Sequence, residues 1–166
     1  IQPYRISIFR NITTGLVAIF DTPQTFKVGE DNARSGALKI ADLNNDLKPE
    51  IISSRYLATG LFINQNKSTR GVFSFEDAVE IKLANNTSVG QVINHINVAD
   101  LDNDDKPEVC ITRALANDVL IFKNNSSGSS LSFTEVKSLP TDQRPGAFNF
   151  GDLNGDGKTD IIATCI

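Results

Sequence analysis

The sequence predicts an all-β fold: a β-propeller segment of three four-stranded blades, the third split between the N- and C-terminal ends. Three observations predict it. First, three segments align without gaps, at Ile40–Ser53, Val98–Ile111 and Phe150–Ala163. Their leading acids are Asp42, Asp100 and Asp152, so the repeat recurs at propeller-blade spacing. Second, short runs rich in Ile, Val, Leu and Phe alternate with clusters of Gly, Asn, Asp, Pro and Ser. Third, no long window carries a 3.6-residue apolar period with caps, which leaves almost no helix.

The first blade, about 36–83, takes its strands from Ala37–Leu43, Glu50–Arg55, Leu61–Asn64 and Phe73–Lys82. The second, about 91–139, takes Val92–Leu101, Glu108–Arg113, Val119–Lys123 and Leu131–Lys137. The third, about 145–166, has only Gly146–Leu153 and Asp160–Ile166. Its missing half is expected at the other end, within 4–28. Ser7–Ile12 is a version of Leu61–Asn66 and Leu120–Asn125, so Tyr4–Arg10 reads as a third strand and Leu16–Val28 holds the fourth. The two ends pair with each other or with blades outside the chain. Three blades make a poor ring, because propellers typically have about 4–8. The expectation is therefore excision from a larger propeller or a homo-oligomeric ring, with two chains giving six blades. The absence of Met agrees with a processed or excised product.

Each repeat carries a nonapeptide with carboxylate or amide side chains at positions 1, 3, 5 and 9. The first is Asp42, Asn44, Asp46 and Glu50; the second is Asp100, Asp102, Asp104 and Glu108; the third is Asp152, Asn154, Asp156 and Asp160. This alternation suits a hard cation with oxygen ligands, position 7 (Lys48, Lys106 or Lys158) offering its backbone carbonyl. Without an ion the clustered carboxylates repel, at about 1–3 kcal/mol per pair. Zinc is disfavoured because no Cys or His accompanies the loops, and magnesium prefers more water. Calcium fits best, with up to three ions. Leu43, Leu101 and Leu153 at position 2 read as packing anchors. Position 6 needs a positive φ, which Gly157 supplies, Asp105 tolerates and Leu47 should resist. The Asp42–Glu50 site is thus expected to bind most weakly or with altered geometry. An EF-hand fails because its position 12 would be Ser53, Ile111 or Ala163. A P-loop at Gly155–Thr159 fails on glycine spacing.

At these loops the sequence resembles the FG-GAP/VCBS repeat family, whose calcium-loop blades also occur in integrin alpha-chain propellers. Beside the loops, the resemblance rests on Pro-Glu-Ile-Ile, Pro-Glu-Val-Cys and Thr-Asp-Ile-Ile, and on Pro145–Asp160. It implies a secreted or cell-surface propeller with calcium in the loops between first and second strands. It also implies adhesion or ligand recognition more often than catalysis.

The single His, His95, reads as structural, and no GxSxG or Cys–His neighbour supports a nucleophile. Cys110 and Cys165 leave open a disulfide or two buried free thiols. Asn11, Asn66, Asn85, Asn86, Asn124 and Asn125 each open a glycosylation sequon. The formal net charge is −4, yet the three nonapeptides hold eleven of the 20 acids, and the rest of the chain is mildly basic. The acidity is thus ligand chemistry. No nucleic-acid partner and no membrane span is expected. The function expected is a calcium-stabilised binding or adhesion module, not an enzyme, with a protein or glycan ligand. The alternatives are a lectin-like propeller, which the lack of Trp disfavours, and the propeller portion of a larger carbohydrate-active enzyme.

Overall fold

A computed structural model describes residues 3–31, 35–56, 59–84 and 92–166. Among them are twelve strands and no helix, hence none long and apolar enough to cross a membrane. Two antiparallel four-stranded meanders form the centre. One is β3 (Ser35–Ala41), β4 (Glu50–Arg55), β5 (Gly60–Asn64) and β6 (Val79–Lys82). The other is β7 (Ile93–Ala99), β8 (Glu108–Arg113), β9 (Asp118–Asn124) and β10 (Phe133–Pro140). Two hairpins flank them: β1 (Pro3–Ile8) with β2 (Gln24–Asp31), and β11 (Phe148–Gly151) with β12 (Asp160–Ala163). Among the described residues no ladder joins β12 to β1.

The hydrophobic cores lie between sheets. Ile52, Leu61 and Ile63 of the first sheet share a core with Val109, Ile111 and Phe122 of the second. Each such side chain contributes about 1.5–3 kcal/mol on burial. Cys110 and Val119, from the other face of the second sheet, form a second core with Phe148 of β11. β8 is therefore buried along its whole length, which explains why it reads as a continuous apolar run. Gly60 is needed where β5 meets β6, since a Cβ there would stand 2.3 Å from the Ile81 carbonyl oxygen.

The flanking hairpins cover opposite parts of their neighbours. β2 lies over the outer strands of the first sheet, where Phe26 meets Phe75 edge-on at 5.1 Å and Arg10 donates to the Gly71 carbonyl at 3.0 Å. Leu38 and Ile40, on β3 at the other edge of that sheet, stay 54% and 60% exposed. β11 instead lies along β7, the edge strand of the second sheet. The Phe148 amide donates to His95 Nδ1 at 3.3 Å, and the two rings meet edge-on. His95 is thus a structural acceptor, and burial holds its pKa below the usual imidazole value, with the Lys39 charge adding to this.

One device recurs in three hairpins. Asn11, Asn66 and Asn124 each accept, through Oδ1, the amide two residues on: Thr13 at 2.9 Å, Ser68 at 2.9 Å and Ser126 at 3.0 Å. The Thr13, Ser68 and Ser126 hydroxyls in turn accept the amides of Ile19, Ser74 and Ser132. Such Asx and hydroxyl turns suit these residue types. They mark β1–β2, β5–β6 and β9–β10 as equivalent hairpins.

Several strand bounds differ from the sequence expectation. β2 begins at Gln24, not in the Leu16 region, because Leu16, Val17 and Ile19 sit in the exposed turn built on Thr13. β6 begins at Val79 because the Ser68 turn occupies the preceding residues, leaving only the isolated Asn66–Phe75 and Thr69–Val72 bridges. β5 and β9 also align one residue differently. Ile51 faces Asn64 where Val109 faces Phe122, so Gln65, not Asn64, stands at the position of Lys123. Cys110 and Cys165 are both free, Cys110 buried and Cys165 exposed. Burial pushes the Cys110 thiol up to about 12, which leaves it inert.

Candidate metal centre

The three nonapeptides are the β3–β4, β7–β8 and β11–β12 connections, and they fold alike. Position 1 organises each one. Asp42 accepts the amides of Asp46 at 3.2 Å and Leu47 at 2.7 Å. Asp100 accepts those of Asp104 at 3.2 Å and Asp105 at 2.9 Å. Asp152 accepts those of Asp156 at 3.2 Å and Gly157 at 2.8 Å. These amides, Gly157 first and Gly155 next, hold the Asp152 carboxyl below its usual pKa. Position 5 accepts the amide of position 7, at 2.9 Å for Asp46–Lys48, 3.0 Å for Asp104–Lys106 and 2.9 Å for Asp156–Lys158.

Position 9 starts the second strand of each repeat and turns back onto position 2. Glu50, Glu108 and Asp160 accept the amides of Leu43, Leu101 and Leu153, each at 2.9 Å. Leu43 belongs to the first core and Leu101 packs against the second, so both anchor their loops. Leu153 is exposed. Glu50 is fully buried, and burial raises its pKa, with Asp46 and Asp42 adding to the effect.

Each loop needs two left-handed residues. At position 4 they are Asn45, Asn103 and Gly155; at position 6 they are Leu47, Asp105 and Gly157. Leu47 adopts φ 64° despite its branched side chain, so the first loop keeps the geometry of the others. The strain is carried by a side chain 91% exposed, which recovers nothing by packing. Leu47→Gly is expected to stabilise the protein by about 1 kcal/mol, read as a higher urea midpoint. A lower midpoint would show that Leu47 makes a contribution of its own.

The middle loop gathers the most charge. Oxygens of Asp100, Asp102 and Glu108 lie within 4.8 Å of one another, the one such acidic group among the described residues. Glu108 is 3% exposed, and its Oε1 accepts no hydrogen bond of good geometry, although the Lys123 ammonium stands 3.4 Å away. A buried carboxylate oxygen without a donor is costly unless a cation faces it. The oxygen-only donor set and this incompletely satisfied atom fit a hard divalent ion. Asp104 stands beside them but is turned to Lys123, at 2.7 Å, and this contact lowers its pKa. The first and third loops carry an amide at position 3, Asn44 and Asn154, and gather fewer carboxylates.

Sequence reasoning picks out the oxygen-bearing positions 1, 3, 5 and 9 but not the left-handed position 4, although Asn, Asn and Gly there are a readable signal. It also missed Lys123, which lies on another strand. The family model described as an FG-GAP-like repeat matches residues 100–163. These residues are similar to an FG-GAP-like repeat. The FG-GAP-like match runs from the first acid of the middle loop to the end of β12, and so includes two of the three nonapeptides. No curated protein and no solved structure matches the chain at a comparable significance.

Proposed function

We propose that the chain is part of a calcium-stabilised β-propeller that acts outside the cell as a binding or adhesion module, without catalysis of its own. The observation that carries this reading is the threefold repetition of one loop. Three separate sequences spend buried or capped carboxylates on the same backbone coil, at the same end of successive sheets. The FG-GAP-like repeat agrees with it. Asp100, Asp102, Glu108 and Asp104 would hold the ion in the middle loop; Asp42, Asn44, Asp46 and Glu50, and Asp152, Asn154, Asp156 and Asp160, would hold it in the others. Bound calcium supplies the positive charge that these oxygens otherwise lack, and nothing is asked of it chemically.

The propeller reading also assigns β11–β12 and β1–β2 as inner and outer halves of one type of blade. Asn66 and Asn124 donate through Nδ2 to the carbonyls of Pro49 and Pro107, one residue before Glu50 and Glu108. The equivalent residues in the third set are Asn11 and Thr159. The open edges of β12 and β1 would then take strands from further blades or from a second copy. The ligand, a protein or a glycan, would meet the loops at the ends of the sheets.

Isothermal calorimetry of calcium into the purified chain, with its mass followed by light scattering, tests both parts. Saturable binding of two or three ions and a mass above that of one chain are expected. No binding heat at millimolar calcium overturns the metal reading. A stable monomer whose first and last strands pair internally overturns the assembly.

A further inference from the structure

The middle loop differs from the others in what faces it. Lys123, on β9, projects into the loop and forms ion pairs with Asp102, with Asp104 at 2.7 Å, and with the buried Glu108 Oε1 at 3.4 Å. These are three of the oxygens a divalent ion would need. An ammonium has three donors and a single charge, so it can satisfy the same oxygens in part. In the first repeat the equivalent position is Gln65, which is neutral and turns away to the Ser129 carbonyl at 3.3 Å. In the third loop, Asp152, Asn154 and Asp156 accept backbone amides of their own loop.

We propose that Lys123 is a tethered competitor for the cation position of the middle loop. It keeps that loop in shape without calcium, and it makes the loop bind calcium more weakly than its charge would dictate. With carboxylates at all four side-chain ligand positions, the middle loop should otherwise be the tightest, since affinity at such sites rises with ligand charge. An entering ion must displace the ammonium and break its three contacts. The inference rests on the calcium reading, and it divides the loops into two kinds. The first and third depend on the ion for charge balance. The middle one carries part of its own.

The test compares the chain with Lys123→Gln, which copies the first repeat, and with Lys123→Arg, which keeps the charge. Calcium is titrated while backbone amides are followed by NMR, Asp105 reporting the middle loop and Gly157 the third. Lys123→Gln is expected to raise calcium affinity at Asp105 by about tenfold, the loss of one partly screened competing charge, and to leave Gly157 within about twofold. Lys123→Arg should stay near the parent. Without calcium, the Asp105 amide of Lys123→Gln should exchange with solvent faster than in the parent. Unchanged or weaker binding at Asp105, with Gly157 still titrating, overturns the role of Lys123 alone. Silence at both amides in every variant overturns the calcium reading with it.

Discussion

Excess EGTA is expected to lower the melting temperature by about 10–20 °C. A ligand that binds only the folded state stabilises it by about 2.7 kcal/mol when present at 100 times its Kd. Two such loops give roughly 5 kcal/mol, and for a chain of this size each kcal/mol moves the midpoint by about 2–4 °C. The physical source is visible in the first and third loops. Asp42 and Asp46, or Asp152 and Asp156, are held in one coil by amides of the loop itself, which orient the carboxylates without neutralising them. Added magnesium should restore little, because it gives up its water reluctantly. Differential scanning calorimetry in calcium and in EGTA checks the shift. Superimposable melting curves would remove calcium from the account.

Asp118→Ala is expected to cost about 3–5 kcal/mol, the usual penalty for stranding one member of a buried ion pair. Arg113 ends β8 and Asp118 begins β9, so the pair closes the turn between two central strands. Arg113 Nε donates to Asp118 at 2.8 Å, its Nη2 pairs with the second oxygen, and the Ser138 hydroxyl donates at 2.5 Å from β10. Burial alone would raise the Asp118 pKa. The hydrogen bonds from Arg113 and Ser138 outweigh it and hold the carboxyl below its usual value. The pair therefore stabilises fully above the unfolded carboxylate value near pH 4, and this contribution is lost as pH falls through the lower folded value. Urea melts across pH should show the variant far below the parent at pH 7 and converging with it in acid. A double replacement, Arg113→Met with Asp118→Leu, should cost much less than the single one, since no buried charge is left alone. Equal losses would mean that packing around the turn, not the ion pair, sets the cost.

The twelve strands were legible because each repeat writes its pattern twice over, as β-rich runs and as punctuation. β4 and β8 begin and end where the sequence places them, for both are buried stretches bounded by a Pro-Glu step and an Arg. The outer strands were less legible. β6 and β10 are half exposed, so burial writes little into them, and β2 was obscured by the apolar turn residues Leu16 to Ile19. In the candidate site, the oxygen-bearing side chains sit at fixed spacing within one loop, and spacing is what a sequence shows. Lys123 enters from a neighbouring strand, and the alignment of β5 with β9 that exposes its singularity depends on the Asn66 and Asn124 hydrogen bonds. Leu47 marks a third kind of limit. Propensity argues against its backbone, and a coil held by Asp42 overrides that propensity.

The Asn-x-Ser/Thr turns bear on covalent chemistry. Three of the chain's sequons begin at Asn11, Asn66 and Asn124, the residues that build these turns. An N-linked sugar attaches at the amide nitrogen. In Asn66 that atom donates to the Pro49 carbonyl, and in Asn124 it is shared between the carbonyls of Leu43 and Pro107, both side chains lying within the protein. A sugar at either position would have to displace those bonds and stand where the sheet is closed. The same tripeptide thus serves two incompatible ends, and folding at Asn66 and Asn124 withdraws the acceptor nitrogen from any enzyme that arrives afterwards. Asn11 is exposed and, among the described residues, engages only its oxygen, so in the single chain its nitrogen stays accessible.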